Sequence, residues 1–242
     1  MIKFFRKIRQ NLLSEGKTGK YLKYAIGEIL LVVIGIIIAL QLNNWNESRN
    51  LKYKEIVILK ALKSELENDL NTEFILAKNM YHKKDKALSK LIGVYTKKEN
   101  ISNDSLLNYF RGSLIEWNFG LNVAAFENLK STGLNLISND SLRLKISSIY
   151  SNYYPEILIR SNYLTQFYER EFRPILYDNV NLYNPTLSQS EFDYLKNSKQ
   201  VSNRIIDLYR RRKWIQEELN IVIPKLESLL RDIDQELVLI EK

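Results

Sequence analysis

The stretch AIGEILLVVIGIIIALQL, Ala25–Leu42, decides how this chain is built. Between Ile29 and Leu40 it holds no polar side chain, and ten of those residues are Leu, Ile or Val. Coiled as a helix, Ala25–Leu42 rises about 27 Å, close to the roughly 30 Å of a bilayer hydrocarbon core. The ten aliphatic side chains favour insertion by roughly 3–6 kcal/mol. Glu28 opposes this, but it lies within a turn of the segment's start, where its carboxyl can reach water or take a proton. The spacing therefore predicts a retained transmembrane anchor over residues 24–44. A cleaved signal peptide is the rival reading, but ALQLNN offers no small-x-small cleavage pattern.

The flanks agree with an anchor. Residues 1–23 carry Lys3, Arg6, Lys7, Arg9, Lys17, Lys20 and Lys23 against the single acid Glu15, a net charge of +6. Residues 43–242 carry 29 basic groups against 26 acids, so the chain's overall +8 is concentrated beside the apolar segment. Positive charge on one flank sets the expected orientation: residues 1–23 as a cytoplasmic tail, the helix in the inner membrane, and residues 45–242 on the far side, in a periplasm where the cell has one. Trp45, in NNWNE, is the expected interfacial anchor. The same count argues against nucleic acid as a partner, since a binding groove would need its cations in the folded domain. The tail places Ile2, Phe4, Phe5, Ile8, Leu12 and Leu13 among its cations. It reads either as a short amphipathic helix on an anionic leaflet or as an unstructured topology signal.

Within the span, Gly27, Leu31, Gly35 and Ala39 recur every four residues, with Glu28 beside them. Small residues at this spacing let two helices approach closely, so a homo-oligomer through the span is one expectation. The other is that Gly and Ala are simply common in spans.

Two strings carry a resemblance. IGEILLVVIGIIIALQLNNWNE, inside Tyr21–Glu47, and FENLKSTGLNLISNDSLRLKISSIYSNYY, Phe126–Tyr154, resemble a family of single-span proteins of Gram-negative bacteria known only as a domain of unknown function. The resemblance covers most of the chain. It implies an inner-membrane anchor and a periplasmic helical domain, and supplies no activity, substrate or catalytic residue.

Beyond the anchor the chain reads as all-α. Gly (8) and Pro (4) are scarce and Cys is absent, which leaves little turn chemistry for strands and no disulfide or thiolate metal site. Residues 51–98 predict one long helix, with an apolar stripe at Leu59, Leu62, Leu66, Leu70, Phe74, Ala77, Tyr81, Leu88, Leu91 and Tyr95. A helix from Asp104 or Ser105 to about Trp117 follows, then a short one at about 122–131 ending at Gly133 in a left-handed conformation. ISNDSL occurs twice, at Ile101–Leu106 and Ile137–Leu142, and reads as a repeated helix start. A second long region spans about 141–178, with Pro155 expected to kink or divide it and Pro174 to bend or end it. Ser188 and Glu191 predict a capping box for a helix at about 189–198. The last helix, about 201–240, should bury Ile205, Leu208, Trp214 or Ile215, Leu219, Val222, Leu226, Leu229, Ile233 and Leu237, and kink at Pro224. The expected architecture is an extracytoplasmic helical bundle with long first and last helices.

Catalytic chemistry finds no foothold. His82, the only histidine, sits among Lys83, Lys84 and Lys86, so neither a Ser-His-Asp triad nor a histidine metal site assembles from this sequence. Glu217/Glu218, Asp232/Asp234 and the run Arg210–Lys213 read as solvated helix faces. No cofactor is expected, and the chain is read as non-enzymatic. One aromatic region stands out: Tyr150, Tyr153, Tyr154, Tyr163, Phe167, Tyr168, Phe172 and Tyr177, with Arg160, Arg170 and Arg173. It fits a bundle core with hydroxyls reaching water, or a binding patch. The functional expectation is a membrane-anchored envelope protein for interaction, scaffolding or sensing, with an unidentified envelope partner. The alternatives are an accessory subunit of an envelope enzyme or transport complex, and a sensor binding a small ligand at the Tyr/Arg group.

Overall fold

The computed structural model describes residues 18–114 and 116–241. The amphipathic reading of Ile2–Leu13 lies outside them. Contacts divide the chain into two compact units, Met1–Lys54 and Glu55–Lys242. Among the described residues there is no strand, as the scarcity of turn residues predicts.

Helix α1 (Thr18–Asn68) carries the apolar stretch without interruption, and that stretch lies within the first unit. It is the one described helix long and apolar enough to cross a membrane. From Ile29 to Leu42 the Leu, Ile and Val side chains are each 43–63% exposed, so no protein core receives them.

The second unit is built on three long rods. The first comprises the end of α1, a wide π-helical turn at Asp69–Phe74, and α2 (Ile75–Lys97). The second comprises α5 (Asp140–Ser148), α6 (Tyr154–Phe167) and α7 (Arg173–Tyr177), joined by π-turns at Ile149–Tyr153 and Tyr168–Phe172. The third is α9 (Lys199–Ile240). Pairings fix their directions. Lys63 meets Asp234 at 2.6 Å and Asp85 meets Gln216 at 2.7 Å, so the first and third rods are antiparallel. Lys145 meets Asp232 at 2.7 Å while Arg160 meets Glu218 at 3.7 Å, so the second and third are antiparallel too. The chain returns between the first two rods through α3 (Asn103–Ser113) and α4 (Ala124–Thr132). After the second rod, α8 (Gln189–Asn197) starts from the expected capping box, with Ser188 and Glu191 bonded reciprocally.

The stripes hold. Every expected stripe residue of the first rod is buried except half-buried Tyr95, whose hydroxyl donates to the Leu195 carbonyl at 2.6 Å. On α9 the expected residues are all buried with Ile215 inside, while Trp214 is 55% exposed. Gly93 does not end the helix. It is buried, and a Cβ there would lie 2.9 Å from a Glu99 carboxylate oxygen; the helix stops at Lys98, in the left-handed conformation at φ 53°.

The two ISNDSL strings cap their helices differently. In the first, Ser102 accepts from the Ser105 amide at 3.3 Å. In the second, Asn139 accepts from the Leu142 amide at 3.1 Å. Tertiary partners decide which. Asn103 is taken up by the Leu187 backbone, and Ser138 by the Glu55 carboxylate at 2.7 and 2.9 Å. Ser102, rather than Asp104 or Ser105, is therefore the cap of α3. Gly133 has φ 111° and ψ 127°, a positive φ that favours glycine but not the left-handed helical conformation expected of it.

Of the two prolines, Pro155 does not divide the second rod, and beyond Pro174 the helix runs only to Tyr177. Each sits two residues beyond a π-turn, in the first turn of α6 and α7. A proline cannot donate to the carbonyl four residues back and its ring crowds that carbonyl. The wide turn just upstream supplies the slack, and the helix runs on from Pro155 to Phe167 and from Pro174 to Tyr177. Pro224 likewise lies inside α9 without ending it.

Candidate functional site

The Tyr/Arg region separates into core and surface. Tyr150 stacks on Phe126 with ring centroids 4.4 Å apart and lies 5.0 Å from Tyr154. Both tyrosines are buried, and the Tyr154 hydroxyl donates to Asp69 at 2.9 Å. Tyr153 is half-buried beneath Lys225, whose ammonium lies 5.1 Å from the ring centroid. Arg160 pairs with Glu156 at 2.7 Å and reaches Glu218 at 3.7 Å. Arg173 pairs with Glu169 at 2.6 Å and lies over the Tyr177 ring. Tyr163 and Arg170 face solvent. Phe167 and Phe172 are core, and Tyr168 is half-buried with its hydroxyl pushed up to about 12 by burial. These side chains do not converge on one enclosed cavity. On the span, Gly27 and Gly35 have open space where a side chain would be, Ala39 is exposed, Glu28 is half-buried, and Trp45 lies under Arg49 at 5.9 Å.

Two polar constructions were not legible as such in the sequence. The first is a ladder of carboxylates on the first rod that holds the returning chain. Glu73 accepts from the Trp117 indole at 3.0 Å and the Gly120 amide at 3.1 Å. Asp69 accepts from the Asn122 amide at 3.0 Å and from its side-chain NH2. Glu65 accepts from the Ala125 amide at 3.0 Å, at the start of α4, where Val123 offers no side-chain cap. Glu55 completes it at Ser138. A segment that lacks backbone partners is thus tied down by charge-assisted bonds. The spacing Glu65, Asp69, Glu73 is the one hint, since acids four apart share a helix face.

The second is a buried ionic cluster. Arg212 is fully buried, which corrects the reading of Arg210–Lys213 as a solvated face for that residue. Its guanidinium donates to the Ser113 carbonyl, pairs with Glu116 at 2.6 Å, and lies 5.9 Å from the Tyr81 ring centroid. Burial pushes the Glu116 carboxyl above its ordinary range, with Arg212 pulling the other way. Burial lowers the nearby Lys84 ammonium. Asp85 links outward, accepting from Gln216 at 2.7 Å and pairing with Lys213 at 3.2 Å. Gln216 in turn lines a polar groove of about 270 Å³ with Lys78, Asn79, His82 and Asn220. His82, on the charged face expected of it, is thus one wall of this groove. Glu218 also departs from a solvated face: it is buried toward Arg160, and burial raises its pKa.

Among the described residues, no group of three or more His, Asp or Glu could hold a metal ion. The model of a family of unknown function matches residues 28–212, from Glu28 in the span to the buried Arg212. No curated protein and no solved structure matches the chain.

Proposed function

The chain belongs to the DUF6090 family of unknown function, and from its own residues we propose a single-span, non-enzymatic protein of the cell envelope that tethers a helical interaction domain to the inner membrane. The unburied apolar face of α1 carries this reading. Side chains from Ile29 to Leu42 that find no protein core have lipid as their natural solvent. The +6 of residues 1–23 supports a cytoplasmic N-terminus and a periplasmic domain. Glu65, Asp69 and Glu73 hold the domain's own returning chain, as suits a scaffold or interaction module. The open Gly27, Gly35 and Ala39 positions suit pairing with a second copy through the span.

Carbonate washing of membranes from cells making the full chain should leave it in the pellet. Ile34→Lys should raise the fraction released or lower accumulation, because it offsets about half or more of the insertion energy. A lysine at the helix centre costs about 2.5–3.5 kcal/mol, against roughly 3–6 kcal/mol of insertion energy. A wild-type chain recovered intact in the wash would end the membrane reading. A C-terminal alkaline phosphatase fusion should be active, and an inactive one would reverse the orientation. Separately, crosslinking in membranes should capture a dimer that Gly35→Ile weakens, and an unchanged dimer would remove the pairing through this face.

A further inference from the structure

Past the apolar stretch, α1 shows a face of cations with no acid on it. Residues 43–54 hold Arg49, Lys52 and Lys54 against the single acid Glu47. All four are exposed, as is Trp45. Arg49 and Lys52 follow Trp45 by four and seven residues, so on a helix these three share one face, while Glu47 and Lys54 fall on the opposite one. Among the described residues neither Arg49 nor Lys52 is paired with an acid. Helical side chains lean toward the N-terminal end of their helix, which here is the end that carries the span. Arg49 does so: its guanidinium lies 5.9 Å from the centroid of the Trp45 ring, one turn closer to the apolar stretch.

We propose, resting on the membrane reading of α1, that Trp45, Arg49 and Lys52 form a docking face for the headgroup of an anionic phospholipid in the leaflet at the far end of the span. Height places the face. Trp45 lies three residues beyond Leu42, a rise of about 4.5 Å, and the headgroup layer is about 5–8 Å deep on each side of the hydrocarbon. The ring therefore sits among the headgroups. Arg49 is rooted about 10 Å out and brings its guanidinium back toward that layer. Lys52, three residues farther, follows along the same face. Charge selects the lipid. A zwitterionic headgroup presents its own cation beside the phosphate, whereas a net anionic headgroup leaves the phosphate charge for the protein. The guanidinium takes phosphate oxygens as a fork, and the ammonium adds a point charge. Lys and Arg on the translocated flank run against the asymmetry that orients the span, and a phosphate beneath them offsets that cost.

Trp45 fluorescence of the full chain in phosphatidylcholine nanodiscs doped with brominated lipid tests the face. Bromine high on the acyl chain quenches an indole at the headgroup layer, and Trp45→Phe supplies the background from Trp117 and Trp214. Brominated phosphatidylglycerol should quench Trp45 more than brominated phosphatidylcholine at equal dose. Their ratio, taken within each variant so that the indole's own brightness cancels, gives the local enrichment. Arg49→Gln and Lys52→Gln should each lower that enrichment about fivefold, the worth of one cation near an anionic surface. Lys54→Gln, on the opposite face, should leave it unchanged. Equal quenching by the two lipids, or an enrichment that Arg49→Gln and Lys52→Gln leave intact, would overturn the docking face while the span stands. An equal loss from Lys54→Gln would reduce the effect to net charge and overturn it too. No quenching by either lipid would sink the membrane reading, and this face with it.

Discussion

Arg212→Ala should lower the unfolding free energy of the helical domain by about 3–5 kcal/mol, the cost of leaving a buried partner charge uncompensated. Arg212 spans the domain's centre, holding the Ser113 carbonyl at the end of α3 and the Glu116 carboxylate just beyond it. Its removal strands a carboxylate that burial already disfavours. It also takes the cation from the Tyr81 ring. The paired replacement Arg212→Met with Glu116→Leu should recover most of the loss, because two desolvated charges are exchanged for apolar contacts. Urea unfolding of the full chain in micelles, followed by circular dichroism, measures both. A single variant costing under about 1 kcal/mol would mean water reaches this cluster and that its charges are solvated in the folded protein.

The contrast between this cluster and the stripes explains what could be read in advance. Leu59, Leu62, Leu66 and Leu70 announce their burial by period alone, and so do Leu219, Val222, Leu226 and Leu229. The capping box at Ser188 is equally local, needing only residues three apart. Arg212 sits among Arg210, Arg211 and Lys213, and only the phase of its own helix marks it: it is four residues beyond Leu208 and three before Ile215, on the buried stripe. Position on the wheel outranked residue type there. The choice between Ser102 and Asn139 as caps of identical strings could not be read locally at all, since Leu187 and Glu55, far along the chain, decide it. The same holds for the Tyr/Arg region. Its composition invites a single patch, but the π-turns at Ile149–Tyr153 and Tyr168–Phe172 set which rings turn inward, and no period forecasts a wide turn.

Asp69→Ala should be the second costly substitution, at about 4 kcal/mol. It would orphan three donors, the buried Tyr154 hydroxyl and the half-buried Asn122 amide and side-chain NH2, at about 1–3 kcal/mol each where burial is complete and less where it is not. It also unpins the returning chain at the centre of the carboxylate ladder, between Glu65 and Glu73. Asp69→Asn keeps one acceptor oxygen and turns an NH2 toward that of Asn122, so it should cost roughly half as much. The pH dependence tells which force governs the carboxylate. Burial raises its pKa above the ordinary 3.8, against the pull of Asn122 and Tyr154. A raised folded pKa means that the folded state holds the proton more tightly than the unfolded chain. The associated stability is fully present below 3.8 and is lost as pH rises through the folded pKa. Wild type should therefore gain on Asp69→Asn as the solution is acidified toward that limit. If its advantage instead shrinks on acidification, the three hydrogen bonds outweigh desolvation and the folded pKa is depressed. Either sign leaves Asp69 as the joint of the first rod, the second rod and the returning chain, because only a group accepting from Tyr154 and Asn122 together can bind all three.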